Sequence, residues 1–144
     1  MIGELTPTEI EDLLRTEEVG RIGCHAEGRT DVVPVAYAYD GECVYAHSRD
    51  GLKIRTMRAN PNVCFEVDRV GDQARWRSVV AWGVYEELYG AEEARARALL
   101  NARFPPEGQP EAALPDAVTH SDVDERRTIF YRLRLQEKTG RFEG

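Results

Sequence analysis

The stretch VGRIGCHAEGRTDVVPVAYAYDGECVYAHSRDGLKIRTMRANP (residues 19–61) decides the fold, because its apolar residues recur every second position between clusters of turn residues. VGRIGCHA reads as one strand and EGRT as a polar turn. In DVVPVAYAY, Val33, Val35, Tyr37 and Tyr39 alternate with Val32, Pro34, Ala36 and Ala38, which predicts a second strand. Asp40-Gly41 is a hairpin signal, since a type I′ turn needs positive φ at its central residues. ECVYAHS then returns antiparallel. A short helix is expected from about Gly51 to Ala59, ended by Asn60-Pro61.

Outward from this stretch the punctuation stays clear. Upstream, Thr6, Pro7 and Glu9 form a capping box with proline at the first helical position, ahead of Ile10, Leu13 and Leu14 at helical spacing. Downstream, Val63, Phe65 and Val67 alternate with Cys64, Glu66 and Asp68 in NVCFEVDRV. GDQAR turns the chain into a long strand, WRSVVAWGVYEEL, and AEEARARALLNARF follows as a helix whose apolar side is Ala94, Ala98 and Leu99. PPEGQPEAALPDAVTHSDVDE reads as an excursion with little regular structure, and RTIFYRLRLQEKTG as a closing strand. About six strands, mostly hairpin-connected, predict a mainly β protein: an antiparallel barrel with peripheral α-helices in a single domain, 1–144.

Composition narrows the function. A net charge of −7 argues against a general affinity for nucleic acid or anionic membranes. No apolar run approaches a membrane span, and MIGELTPTEIEDLL lacks the regions of a signal peptide. Cys24, Cys43 and Cys64 sit singly in apolar segments with no CxxC spacing, which reads as reduced thiols of a cytoplasmic protein. Cys24, His25 and His120 share no metal-ligand spacing, so no metal is expected. Glu86 and Glu87 fall on opposite faces of their strand and cannot form an acid/base pair, while Arg132 and Arg134 read as a solvated face.

HSRDGLKIR is the stretch with chemistry in it. A helix N-terminus exposes unpaired N–H groups and partial positive charge, Ser48 offers a hydroxyl, Gly51 permits close approach and Lys53 adds a full charge. Taken alone, this is either a solvated helix start or a phosphate seat. No Walker loop, nucleophile elbow or dinucleotide fingerprint accompanies it, so a mononucleotide suits it better than a triphosphate. His47 is the one polar residue here whose titration range suits proton transfer, against a simpler role in cofactor placement. The strand from Val79 to Val84 is apolar on both faces, and a surface carrying Trp76, Val80, Trp82 and Tyr85 predicts a homodimer.

The succession from Glu18 to Glu87, with FYRLRLQEKTGRFEG at the C-terminal side, resembles the flavin-binding split-barrel proteins related to pyridoxamine 5′-phosphate oxidase. Within them it is most similar to the branch of the nitroimidazole-resistance (Nim) proteins. The resemblance implies a six-stranded antiparallel split β-barrel, dimeric, with FMN in two interface clefts. It implies flavin contacts from Val33, Pro34, Val35 and Ala36, a phosphate site at His47, Ser48, Leu52 and Lys53, and further contacts from Arg77, Ser78 and Val79. It also implies an FMN-dependent oxidoreductase that takes electrons from a reduced nicotinamide and passes them to a small organic acceptor such as a nitro compound. The other readings are a flavin- or haem-binding carrier or sensor without turnover, and a deazaflavin-dependent reductase. The substrate-binding Arg and His segment of true pyridoxamine phosphate oxidases has no match up to Gly144, so that substrate is not implied.

Overall fold

Thr6 begins the first helix, α1 (Pro7–Thr16), with the expected capping box: its Oγ1 accepts from the Glu9 N–H at 3.2 Å and the Glu9 carboxylate accepts from the Thr6 N–H at 2.8 Å. The computed structural model describes residues 1–106 and 127–144. Eight strands appear there: β1 (Ile2–Glu4), β2 (Val19–Ala26), β3 (Arg29–Ala36), β4 (Ala38–Tyr39), β5 (Cys43–Arg49), β6 (Asn62–Val70), β7 (Trp76–Glu87) and β8 (Thr128–Glu143). Helices α2 (Leu52–Ala59) and α3 (Gly90–Arg103) complete the set. The strands form one antiparallel sheet in the order β3-β2-β6-β7-β8-β5-β4, with β1 added to β8. Six long strands match the expectation. β1 and β4 are short extras, and the strand expected over DVVPVAYAY is interrupted at Tyr37.

The sheet curls into a half-barrel around one apolar core. Ile22, Phe65, Val67, Val79, Ala81, Tyr131 and Leu133 meet inside it, joined by Leu13 and Leu14 of α1 and Ile54 and Met57 of α2. Phe65 is fully buried, and truncating such a ring to alanine costs about 3–5 kcal/mol. A second cluster lies outside the sheet, where α3 covers Tyr45 and Phe130. Its buried positions are Ala96 and Leu100; of the expected apolar side, Leu99 packs against the cluster whereas Ala94 and Ala98 are exposed. Alanine is small enough for either side, so the helix turned toward the larger Leu100.

The turns also moved. Glu27 (φ 53°) and Gly28 (φ 78°) hold positive φ together, so the two-residue hairpin of type I′ character joins β2 to β3. At the expected site only Gly41 has positive φ (99°), and the Asp40 carboxylate organises the turn by accepting from the N–H groups of Glu42 (2.9 Å) and Cys43 (2.8 Å). The β7–β8 register shifts between Trp82 and Gly83, and a Cβ at Gly83 would collide with the Arg134 carbonyl. Tyr85, expected on the dimer face, points into the core at 7% exposure, opposite to Trp76, Val80 and Trp82. A strand apolar on both faces does not say which face is core. The proline-rich excursion falls almost wholly outside the described residues, as does His120.

Candidate functional site

β3 is a sheet edge, so one side of its backbone has no strand partner. Within it Val33 packs against the core, Val35 is buried, and Pro34 and Ala36 are exposed. Proline is tolerated here because an edge strand does not need every N–H in its ladder. The unpaired edge of Val33–Ala36 therefore leaves backbone groups free of a strand partner.

Across the opening, α2 starts without a side-chain cap: Gly51 is its N-cap, and the first backbone bond into the helix runs from the Arg55 N–H to the Gly51 carbonyl. Leu52 is 54% exposed and lines a cleft of about 420 Å³ between α2 and the β2–β3 hairpin, together with Arg29, Asp31, Arg55 and Thr56. Lys53 is half-buried, and no carboxylate pairs with it among the described residues. Burial lowers its pKa, opposed by the nearby Cys24 thiol. Cys24 is cross-strand partner to Asp31, two residues from Val33, which ties Lys53 to the β3 side of the opening. Burial in turn raises the Cys24 pKa.

His47 and Ser48 are adjacent in β5 and project to opposite faces of the sheet. The Ser48 hydroxyl donates to the Arg49 carbonyl at 2.8 Å. The His47 ring is 5.2 Å from that of Phe130, and Arg97 of α3 lies over the Phe130 ring at 4.4 Å. The imidazole keeps an accessible edge, yet crowding by this packing lowers its pKa, and the charges of Arg97 and Lys53 add to the effect. The lowered pKa favours the neutral imidazole, which can donate one hydrogen bond.

Arg77, Ser78 and Val79 are elsewhere. They pair with Phe142, Arg141 and Gly140 at the far end of β8, whereas His47 and Ser48 pair with Phe130 and Ile129 at its start. Ten residues of strand separate Phe130 from Gly140, on the order of 30 Å along β8. Arg77 faces Glu9 at 3.9 Å, the Ser78 hydroxyl donates to Glu66 at 3.3 Å, and Val79 is fully buried. One chain does not gather both groups around one ligand.

Two features escaped the sequence reading. On the outer face, Arg21 is shared by Glu66 (3.4 Å) and Asp68 (3.6 Å). Burial and the neighbouring Asp68 outweigh that cation and push the Glu66 pKa up to about 7. Glu66 and Asp68 were visible as alternate residues of one strand, but not their joint dependence on Arg21. Inside the barrel, the Tyr131 hydroxyl is buried without a hydrogen-bond partner.

The remaining candidates are structural. His25 shares a 2.7 Å hydrogen bond with Thr30. Glu87 pairs with Arg58, while Glu86 pairs with Arg132 (2.7 Å) and Arg134 (3.1 Å) on the other face. Arg132 is only 16% exposed there, so its face is an ion-pair network more than a solvated surface. No helix among the described residues is long and apolar enough to cross a membrane.

This geometry has known relatives. The family model described as pyridoxamine 5′-phosphate oxidase matches residues 6–142. An uncharacterized protein of Rhizobium meliloti is 29% identical over 138 residues, spanning 92% of this chain and 89% of its own. The crystal structure of an FAD-binding protein from Mesorhizobium loti superposes with a TM-score of 0.81 at 30% identity, covering 100% of this chain and 99% of the other. A candidate 5-nitroimidazole antibiotic resistance protein from Bacteroides thetaiotaomicron gives 0.76 at 21% identity, with 99% and 87% covered, a likeness of fold alone. The Nim-like branch is thus one neighbour among several, and the likeness does not single it out. The chain belongs to the pyridoxamine 5′-phosphate oxidase family and has its flavin-binding split-barrel fold.

Proposed function

We propose that this protein is a flavin-dependent oxidoreductase of small molecules, acting as a homodimer with FMN held between the β3 edge and the start of α2. The observation that carries the reading is Lys53, a half-buried cation with no carboxylate partner among the described residues, beside an uncapped helix N-terminus. A phosphate monoester brings about two negative charges at neutral pH and answers both features. The similarity to an FAD-binding protein supports a flavin as the ligand.

When bound, the flavin supplies the hydride and electron transfer. The chain's part is placement. Lys53 and the first N–H groups of α2 hold the phosphate, and the Val33–Ala36 edge orients the ring through backbone hydrogen bonds. Neutral His47 donates one hydrogen bond and fixes position. Arg77 and Ser78, remote within one chain, serve the flavin only as the second subunit's contribution, whereas Val79 is buried in the core and paired on both sides.

The test is spectroscopic. The purified chain incubated with FMN should show a bound flavin absorbance band, bleached anaerobically by NADH or NADPH and restored by a nitro compound. A protein that binds FMN but is never reduced by either nicotinamide would be a carrier, and the oxidoreductase reading would be abandoned.

A further inference from the structure

Three arginines converge at the end of the barrel far from Lys53. Arg69 of β6 and Arg77 of β7 are direct cross-strand partners, a like-charge pair that weakens an antiparallel ladder. Arg75 enters from the connecting turn, where Gln73 (φ 56°) and Ala74 (φ 62°) both occupy the left-handed region without being glycine. That turn is closed by Gly71 N–H donating to the Arg75 carbonyl at 2.7 Å. With Trp76, Phe142 and Glu143 these arginines line a pocket of about 460 Å³, within the range of small-molecule sites.

Three guanidinium groups share this pocket with the carboxylates of Glu143 and Gly144, in a chain whose net charge is −7. Arg69 has Glu17 at 2.8 Å, but the carboxylate nearest Arg77, Glu9, is 3.9 Å away. Glu143 is engaged by the amino terminus at 2.9 Å, and among the described residues no carboxylate pairs with Arg75. Guanidinium forks match phosphate oxygens, and more than one fork suits more than one phosphate. Trp76 and Phe142 add aromatic surface for a flat heterocycle.

We propose that this pocket binds the adenosine diphosphate moiety of a dinucleotide, at a site that is remote from Lys53 within one chain and meets the flavin seat only across two subunits. It rests on the oxidoreductase reading only in naming the two dinucleotides that bring the group, FAD and the reduced nicotinamide.

ADP itself is the probe. Trp76 fluorescence, isolated in a Trp82→Phe background, should be quenched saturably by ADP and much less by adenosine. Arg75→Ala, a change on an exposed turn, should weaken ADP at least ten-fold while leaving FMN affinity within two-fold. Absence of ADP binding at millimolar concentration, or binding indifferent to Arg75, overturns the proposal. The source follows from two further measurements on Arg75→Ala: a loss of FAD affinity relative to FMN identifies the flavin dinucleotide, and a raised KM for NADH with unchanged FMN affinity identifies the nicotinamide one. If neither moves, the dinucleotide assignment is overturned. If no flavin binds at all but ADP binding depends on Arg75, the oxidoreductase reading falls and this pocket stands.

Discussion

Lys53 sits where its charge is partly desolvated and no carboxylate among the described residues pairs with it. Losing a charge-assisted contact to phosphate costs roughly 1.5–3 kcal/mol, or about one to two orders of magnitude in affinity. Lys53→Ala should therefore weaken FMN by that factor and riboflavin, which lacks the phosphate, far less. Equal weakening of both ligands in parallel titrations would move the phosphate elsewhere. His47 makes a different prediction. Its pKa is lower in the folded protein than in the unfolded chain, so protonation costs more when folded. Its contribution to stability is present above the unfolded value near 6.5 and is lost as pH falls toward the folded one. His47→Gln should flatten the decline in urea midpoint below about pH 6.5. Identical acid limbs in both proteins would show that packing against Phe130 does not hinder the imidazole.

Strands and turns follow local rules, and the β2–β3 hairpin shows one left unoptimised. Its turn asks two residues for positive φ, and Glu27 supplies the first without the tolerance of asparagine or glycine. Glu27→Asn should raise stability by about 0.5–1 kcal/mol, seen as a Tm increase of about 2–4 °C. A lowered Tm would mean that the Glu27 side chain matters more than its backbone. The same hairpin presents the β3 edge and walls the cleft beside Leu52.

At the scale of the molecule, the outer face of the sheet carries an apolar row. Val32, Gly23, Cys64 and Trp82 are consecutive register partners across β3, β2, β6 and β7, with Val32 66% and Trp82 43% exposed. In the next row Pro34 and Val80 flank the Arg21–Glu66 ion pair. A second copy of the chain is the occupant proposed for this face, and the remoteness of Arg77 and Ser78 from Lys53 gives the dimer a purpose. Trp82→Glu should convert dimer to monomer at micromolar concentration by light scattering, and flavin affinity should fall with it. A wild-type chain that is monomeric would end both the interface and the shared flavin site.

The sequence by itself determined what short-range sterics and hydrogen bonding control. The Thr6–Glu9 box, the period-two strands and the stop at Asn60-Pro61 each depend on residues within a few positions of one another, and they stand in the structure apart from the break at Tyr37. The strand pattern predicted an antiparallel barrel, and the resemblance added its flavin-binding split-barrel family, because residue order and spacing over most of the chain carry it. Pairing across the sheet was not legible. That Arg69 opposes Arg77, that Tyr85 turns inward while Trp82 turns outward, and that α3 buries Ala96 instead of Ala94 are consequences of register and rotation. Those quantities are fixed by burial summed over elements distant in sequence, and a strand apolar on both faces or a helix of many alanines leaves them open. Lys53 is the clearest case: the sequence supplied the charge, and only the folded packing partly desolvated it and left no carboxylate paired with it among the described residues.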